Sequence, residues 1–323
     1  MNIVPFRRPN DGIPGDIATL VAEYLDHRRA RGAAHNTLLA YAADLRHLQA
    51  FAVRHDISLV QLIGERLLNR WLDAGLLHLH WSRRTAARKL ESVRSFMSWC
   101  KAETYLQHDP AKDIRIRFRA KRVIAPELDP LKAVVAAIGT RHAVDLRDRA
   151  MLMLLLDAAL RASEVVLLDV PTATAPNPVH GVDAHAKRVY VRPKGGEEGE
   201  ADVVGIEPQT VDAIKAWLDY RDGAARPGEA ALFVNHHGKR LSRQGLYTVV
   251  KQRGAAAGLP SLHPHMFRHR RIGDIVEKLG LDVGSAQARH KHKSTTANVY
   301  GAHAAEVQRH AVRTMAPLGD ISA

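Results

Sequence analysis

Cysteine is almost absent: Cys100 is the single one in 323 residues, which excludes an intramolecular disulfide framework and suits a reducing compartment. It stands in F-M-S-W-C on a predicted helix, where a buried thiol is the expectation. Long apolar runs are missing as well. The strongest, around Met151–Leu156, is stopped by Asp157 and falls far short of a bilayer span. The opening M-N-I-V-P-F-R-R-P-N has no apolar core of the secretory kind, so a soluble, cytoplasmic protein without a membrane partner is expected. Internal repeats and low-complexity tracts are also lacking.

Acidic residues are the scarcer charge, 34 against 47 Lys and Arg, a formal net charge of +13. Such a surplus points to a polyanionic partner, since neutralising phosphates releases counterions. The imbalance is concentrated early: residues 1–125 hold 21 basic against 12 acidic side chains, and the remainder 26 against 22.

Length favours two domains over one. Residues 14–108 read as helices alone, near Ile17–Ala30, Thr37–Arg54 with Asn36 as N-cap, Leu59–Ala74, and Ser82–Tyr105 with Ser82 as N-cap. In the last of these Leu90, Val93, Phe96, Met97 and Cys100 form an apolar stripe, and Arg83, Arg84, Arg88, Lys89 and Arg94 form the opposite face. No carboxylate precedes Glu91 there, which suggests a phosphate-facing surface. From 109 to 130 the chain turns basic and proline-flanked; it reads as a linker whose Arg115, Arg117 and Arg119 lie along nucleic acid.

Residues 131–323 mix helix and strand. Helices are predicted over Leu146–Leu160, Pro208–Tyr220, Ser242–Ala257, Pro264–Leu279 and Thr295–Arg313, with Pro208 at a first helical position and Ser242 as a cap. Strands are predicted at Val165–Val170, Arg188–Arg192, Asp202–Ile206 and Ala231–Asn235, and Pro171–Ala186 reads as an inserted loop.

Six side chains stand out here: Arg161 in A-L-R-A-S-E, Lys194 in V-R-P-K-G-G, His265 and Arg268 in H-P-H-M-F-R-H, and His290 and Tyr300 in R-H-K-H-K-S-T-T-A-N-V-Y-G. Three residues apart on a helix, His265 and Arg268 share a face. Guanidiniums offer paired donors to phosphate oxygens, so the residues by themselves indicate an anion site. His263, His265, His269, His290 and His292 also invite a metal reading, but no suitable carboxylate or cysteine accompanies them and the neighbouring Arg268, Arg270, Arg271, Lys291 and Lys293 repel cations.

In order, Arg161, Lys194, His265-x-x-Arg268, His290 and Tyr300 resemble the signature of the tyrosine recombinases, the family of phage integrases and Xer-type recombinases. L-F-V-N-H-H-G-K-R-L-S-R-Q-G-L, A-G-L-P and S-T-T-A-N-V-Y-G resemble further family blocks, and R-G-A-A-H-N-T-L-L-A-Y-A-A-D-L-R resembles the family's core-binding domain. A-N-V between Thr296 and Tyr300 matches the longer family spacing, which selects His290, with His292 as the alternative. Glu197, Glu198 and Glu200 replace basic residues that follow the lysine in the family.

The resemblance implies an α-helical core-binding domain followed by a mixed α+β, mainly helical catalytic domain, closing as a C-shaped clamp on duplex DNA. It implies Tyr300 as nucleophile forming a 3′-phosphotyrosyl bond, with Arg161, Arg268 and His290 on the phosphate. His265 would accept the tyrosine proton, and Lys194 would protonate the leaving 5′ oxygen. Glu164 is expected to orient Arg161 or to pack against it, and not to react. No cofactor, metal or ATP is implied. The implied partners are DNA recombination sites, three further copies in a homo-tetramer, and accessory or partner recombinases. Rival readings are a type IB topoisomerase, which would relax circles without junctions, and a DNA-binding protein that has lost catalysis. A metal-dependent nuclease would need an acidic ligand cluster that the sequence does not display.

Overall fold

The computed structural model describes residues 15–118, 125–171, 178–193 and 199–289. Lys194, His290, Tyr300, Arg119 and the helix predicted over Thr295–Arg313 lie outside the described residues. The chain forms two compact units that divide between Lys121 and Arg122.

The first unit is helical: α1 Ile17–Ala30, α2 His35–Val53, α3 Glu65–Leu77 and α4 Arg83–Ala102, with a 3-10 turn at Val60–Leu62. Ser82 caps α4 as predicted, its Oγ accepting from the Thr85 N–H at 3.0 Å. The α4 stripe of Leu90, Val93, Phe96, Met97 and Cys100 is buried against Tyr24, Leu45, Leu48, Leu68 and Trp71. Burial pushes the Cys100 thiol up to about 12, so it is an inert packing group.

Three details differ from the sequence reading. Asn36 does not cap α2: the Gly32 turn that ends α1 leaves so short a connector that the helix starts at His35 behind Ala34, without a side-chain cap. The helix predicted over Leu59–Ala74 is broken at extended Ile63 and Gly64, because Ile63 turns into the core. The supposed linker begins as part of this unit, with Ala111 and Ile114 buried in its core and the Arg94 guanidinium donating to both of their carbonyls.

The second unit contains α5 Leu128–Ala136, α6 Ala143–Asp157, α7 Ala162–Val166, strands β1 Gly181–Asp183, β2 Arg188–Val191 and β3 Asp202–Gly205, then α8 Pro208–Ala224, α9 Arg243–Ala256, α10 Pro264–Leu279 and α11 Leu281–Ala288. Leu146, Ala150, Met151, Leu152, Leu154 and Leu155 are all buried, so α6 is apolar on several sides and is wrapped by α5, α8 and α10. Pro208 opens α8, and Ser242 caps α9 through the Gly245 N–H at 3.0 Å.

The sheet is antiparallel in the order β1-β2-β3, with Gly181 opposite Tyr190 and Val191 opposite Asp202. Strand β1 falls inside the segment read as an inserted loop. The predicted strand Val165–Val170 instead starts as helix α7: the Glu164 carboxylate accepts the Arg161 backbone N–H at the helix start, and that local nucleus overrides the β-branched run. Asp169 keeps only isolated bridges to Gly181 and Ala231, and residues 231–235 likewise form bridges and no strand. Helices α5 and α11 were not foreseen.

Candidate active site

The site is built where the chain leaves the central helix. After α6 it turns through Ala159, whose φ of +52° is left-handed, and enters α7 with Arg161 as N-cap. Glu164 holds that arginine twice: its Oε2 accepts the Arg161 backbone N–H at 2.7 Å and its Oε1 accepts Nη1 at 2.6 Å. Of the two roles expected for Glu164, orienting Arg161 or packing against it, these hydrogen bonds correspond to the first. Its side chain is 5 % exposed, so the pair is worth more than a surface ion pair.

Helix α11 brings a second set of acceptors. Gly280, at φ +88°, is the whole connection from α10, and a Cβ at Gly284 would lie 2.2 Å from Val276 Cγ2, so the two helices meet at a distance only glycine permits. Its last carbonyls, the negative end of the helix, receive guanidinium donors. Arg161 Nη2 donates to Ala288 O at 3.2 Å and to Arg289 O at 3.3 Å. The buried Arg268 donates to Ala159 O and to the same Ala288 O. The two arginines therefore converge on one carbonyl oxygen, although they are separated by more than a hundred residues.

His265, one turn before Arg268 on α10, is exposed on one side. Partial burial, then the charges of His263, Arg268, Arg161 and Arg243, hold its pKa below the ordinary histidine value, which favours the neutral ring. His263 and His269 are depressed too, first by burial. Among the described residues, no group of three or more His, Cys, Asp or Glu side chains could hold a metal ion. None of their helices is long and apolar enough to cross a membrane.

The described part of the site thus brings Arg161, Arg268 and His265 within electrostatic reach of one another. Comparison with known proteins follows the same outline. Residues 127–306 match the phage integrase family, and residues 21–104 match the phage integrase N-terminal SAM-like domain. The chain is 32 % identical over 303 residues to the tyrosine recombinase XerD of Mycobacterium tuberculosis (strain ATCC 25618 / H37Rv), covering 88 % of this chain and 93 % of that protein. The chain belongs to the phage integrase family. Tyrosine recombinase XerC of Pseudomonas putida (strain F1) is 30 % identical over 276 residues, 84 % of this chain and 87 % of its own. In fold the chain is similar to XerH site-specific recombinase bound to palindromic difH substrate, with a TM-score of 0.74 at 15 % identity over 96 % of this chain and 99 % of the other. It is also similar to a lambda integrase dimer bound to a COC′ core site, with a TM-score of 0.64 at 11 % identity over 87 % and 97 %.

In the SAM-like unit of this integrase the basic face of α4 differs from its sequence description. The carboxylate it lacks locally is supplied by α2: buried Asp44 accepts Arg88 Nη1 at 2.6 Å and Nη2 at 2.9 Å, Lys89 Nζ at 2.8 Å and Ser92 Oγ at 2.8 Å. Burial would raise the Asp44 pKa, but the hydrogen bonds from Arg88, Lys89 and Ser92 outweigh it and hold the carboxyl below its usual value. Lys89 also lies 4.8 Å above the Trp81 ring. One acid against two cations leaves a net positive surface, with the Arg88 side chain 52 % exposed. Arg83, Arg84, Arg115 and Arg117 are exposed, Arg83 Nη1 reaching Arg117 O at 3.5 Å.

One residue of the unit 2 site escaped the sequence reading: Arg289, which donates from Nη2 to Glu164 Oε2 at 2.6 Å. Its place directly before His290 in R-H-K-H was the available signal.

Proposed function

We propose that this integrase-family chain is a soluble, cytoplasmic, site-specific DNA recombinase that cuts and rejoins strands by transesterification, with Tyr300 as nucleophile. The phenolic oxygen attacks the scissile phosphorus; the tyrosyl P–O bond forms as the bond to the 5′ oxygen breaks, leaving a 3′-phosphotyrosyl enzyme and a 5′ hydroxyl. Because the phosphodiester energy is kept in that bond, the reaction proceeds without ATP or a metal ion. The 5′ hydroxyl of a partner strand then attacks, and two rounds through a Holliday junction exchange two duplexes within a homo-tetramer on paired sites, alone or with a partner recombinase.

The observation that carries this reading is the convergence of Arg161 and Arg268 on the Ala288 carbonyl oxygen. Donors aimed at one oxygen are what a phosphoryl group needs as charge develops on its non-bridging oxygens. A guanidinium carries five N–H groups, so Arg161 can take up a phosphate oxygen while Glu164 still holds it. His265, depressed and neutral, is the acceptor for the tyrosine proton. His290 adds a further donor to the phosphate, and Lys194 protonates the departing oxygen.

Selection from random duplexes recovers the DNA site, and a nicked suicide substrate built on it traps the covalent adduct. The unmutated chain should form the adduct in the presence of a chelator, and Tyr300→Phe should bind the site and form none. An adduct in the Phe variant removes Tyr300 as nucleophile. Relaxed circles without junctions from the parent would indicate a topoisomerase instead.

A further inference from the structure

Arg289 has an unusual setting for an arginine. It ends α11 at φ 49°, ψ 46°, a left-handed conformation that costs a residue with a Cβ about 1–2 kcal/mol. Such strain persists only where the surroundings over-determine it. Here the side chain supplies the determination, being 9 % exposed and held on several sides. Nη2 meets Glu164 Oε2 at 2.6 Å, Nη1 donates to Gln287 O at 3.2 Å, and Nε, without a hydrogen-bond partner of its own, lies 3.8 Å from Asp202 Oδ2. The residue's own carbonyl accepts Arg161 Nη2.

These contacts close a ring and add an arm. Arg161, Glu164 and Arg289 each touch the other two, and Asp202 ties the ring to β3. Asp202 pairs with Val191, the last residue of β2, and in sequence the chain runs from Val191 toward Lys194 just as it runs from Arg289 into His290.

We propose that Arg289 is a positioning residue of the site: hydrogen-bonded to Glu164 and within ion-pair distance of Asp202 on β3, it fixes the carboxylate that orients Arg161. The proposal rests on the recombinase reading for its catalytic consequence. The planar guanidinium suits this place because Nη2 donates to Glu164 while Nη1 reaches back to Gln287 O and Nε faces Asp202 at ion-pair distance, a fixed spread of groups that the compact ammonium of lysine does not reproduce. Burial lowers the Arg289 pKa, and the Glu164 carboxylate opposes that shift.

Arg289→Gly is the informative variant, since glycine takes the left-handed conformation freely and the backbone loses strain as the guanidinium is lost. Loss of a buried partner of Glu164 should lower the variant's melting temperature, but well below that temperature the folded variant should bind the selected DNA site like the parent, while single-turnover adduct formation slows about 10- to 100-fold, the usual effect of a small misplacement of reacting groups. Added guanidinium ion should restore part of the rate, and added ammonium ion none. Arg289→Lys should also be slow. Adduct formation by Arg289→Gly at the parental rate, or a loss of binding to the selected site as large as the loss of cleavage, overturns the proposal. Thermal protection by inorganic phosphate gives a second readout that needs no cleavage: the parent should be protected and Arg289→Gly markedly less. If the parent forms no adduct, the recombinase reading fails by itself, and equal phosphate protection of the two proteins would overturn the positioning role independently.

Discussion

Replacing Glu164 by alanine tests how much of the second unit depends on one carboxylate. Glu164 accepts from Arg161 N, Arg161 Nη1 and Arg289 Nη2, all within 2.7 Å, and its side chain is 5 % exposed. Its removal leaves two guanidiniums, 19 % and 9 % exposed, facing each other with only the Asp202 carboxylate, 3.8 Å from Arg289 Nε, as a nearby counter-charge. Breaking a buried pair by deleting one partner costs about 3–5 kcal/mol, and loss of the acceptor for the Arg161 backbone N–H at the start of α7 adds about 1 kcal/mol. Arg161 can turn partly to solvent, which takes about 1 kcal/mol off that sum and leaves an expected total of about 3–5 kcal/mol. For a unit of this size each kcal/mol moves the midpoint by roughly 2–4 °C, so its transition should fall by roughly 6–20 °C. Calorimetry should show the change in the transition of the second unit only, because the first has its own core. Sulfate should raise the variant's midpoint more than the parent's, by entering the site in place of the carboxylate. A drop corresponding to less than about 1 kcal/mol, or an equal drop in both transitions, would refute the buried-clamp argument.

Three further outcomes are expected. Gly284→Ala should lose about 1–3 kcal/mol through overpacking against Val276, with calorimetry showing partial recovery when Val276→Ala makes room. Asp44 has a folded pKa below its unfolded value, so its stabilisation of the first unit is present above about pH 4 and is lost as pH falls through the folded value; Asp44→Asn should flatten the acid limb of that unit's melting temperature. Since the His265 pKa is depressed, the acid limb of the cleavage rate should lie below about pH 6.5, the ordinary histidine value, and a limb above it would argue against His265 as the proton acceptor.

Much of the fold was legible because its signals are local. The α4 stripe, the Ser82 and Ser242 caps and Pro208 at the start of α8 all act within a few residues of themselves. Errors arose where two local signals competed or where tertiary packing decided. At Val165–Val170 the β-branched run lost to the Glu164 carboxylate that accepts the Arg161 backbone N–H at the start of α7, and at residue 63 burial of Ile63 broke a plausible helix. Helix α11 is only eight residues long and follows Gly280 directly, so its own periodicity is too short to register; its stability comes from packing on α10.

The site divides along the same line. Arg161, His265 and Arg268 could be picked out because their types and order carry a signature, and Glu164 because it sits three residues from the arginine it holds. Arg289 had only its place beside His290 to mark it, since its partners lie 125 residues away at Glu164 and on β3 at Asp202. Asp44 escaped for the same reason: a carboxylate 44 residues from Arg88 does not show in the charge pattern of α4, yet it decides what that face presents. Counting charges along one helix gave Arg88 and Lys89 as two bare cations. In the fold Asp44 spends both terminal nitrogens of Arg88 on itself and covers much of Lys89, whose side chain is 14 % exposed. The Asp44 cluster therefore presents a braced guanidinium plane with one net charge, and on the proposed recombinase reading the attraction of phosphate would fall mainly to the exposed Arg83, Arg84, Arg115 and Arg117. Since the salt dependence of DNA binding follows the number of phosphates neutralised, the Asp44 cluster should contribute less to it than two free cations would, and more to holding the duplex in one register.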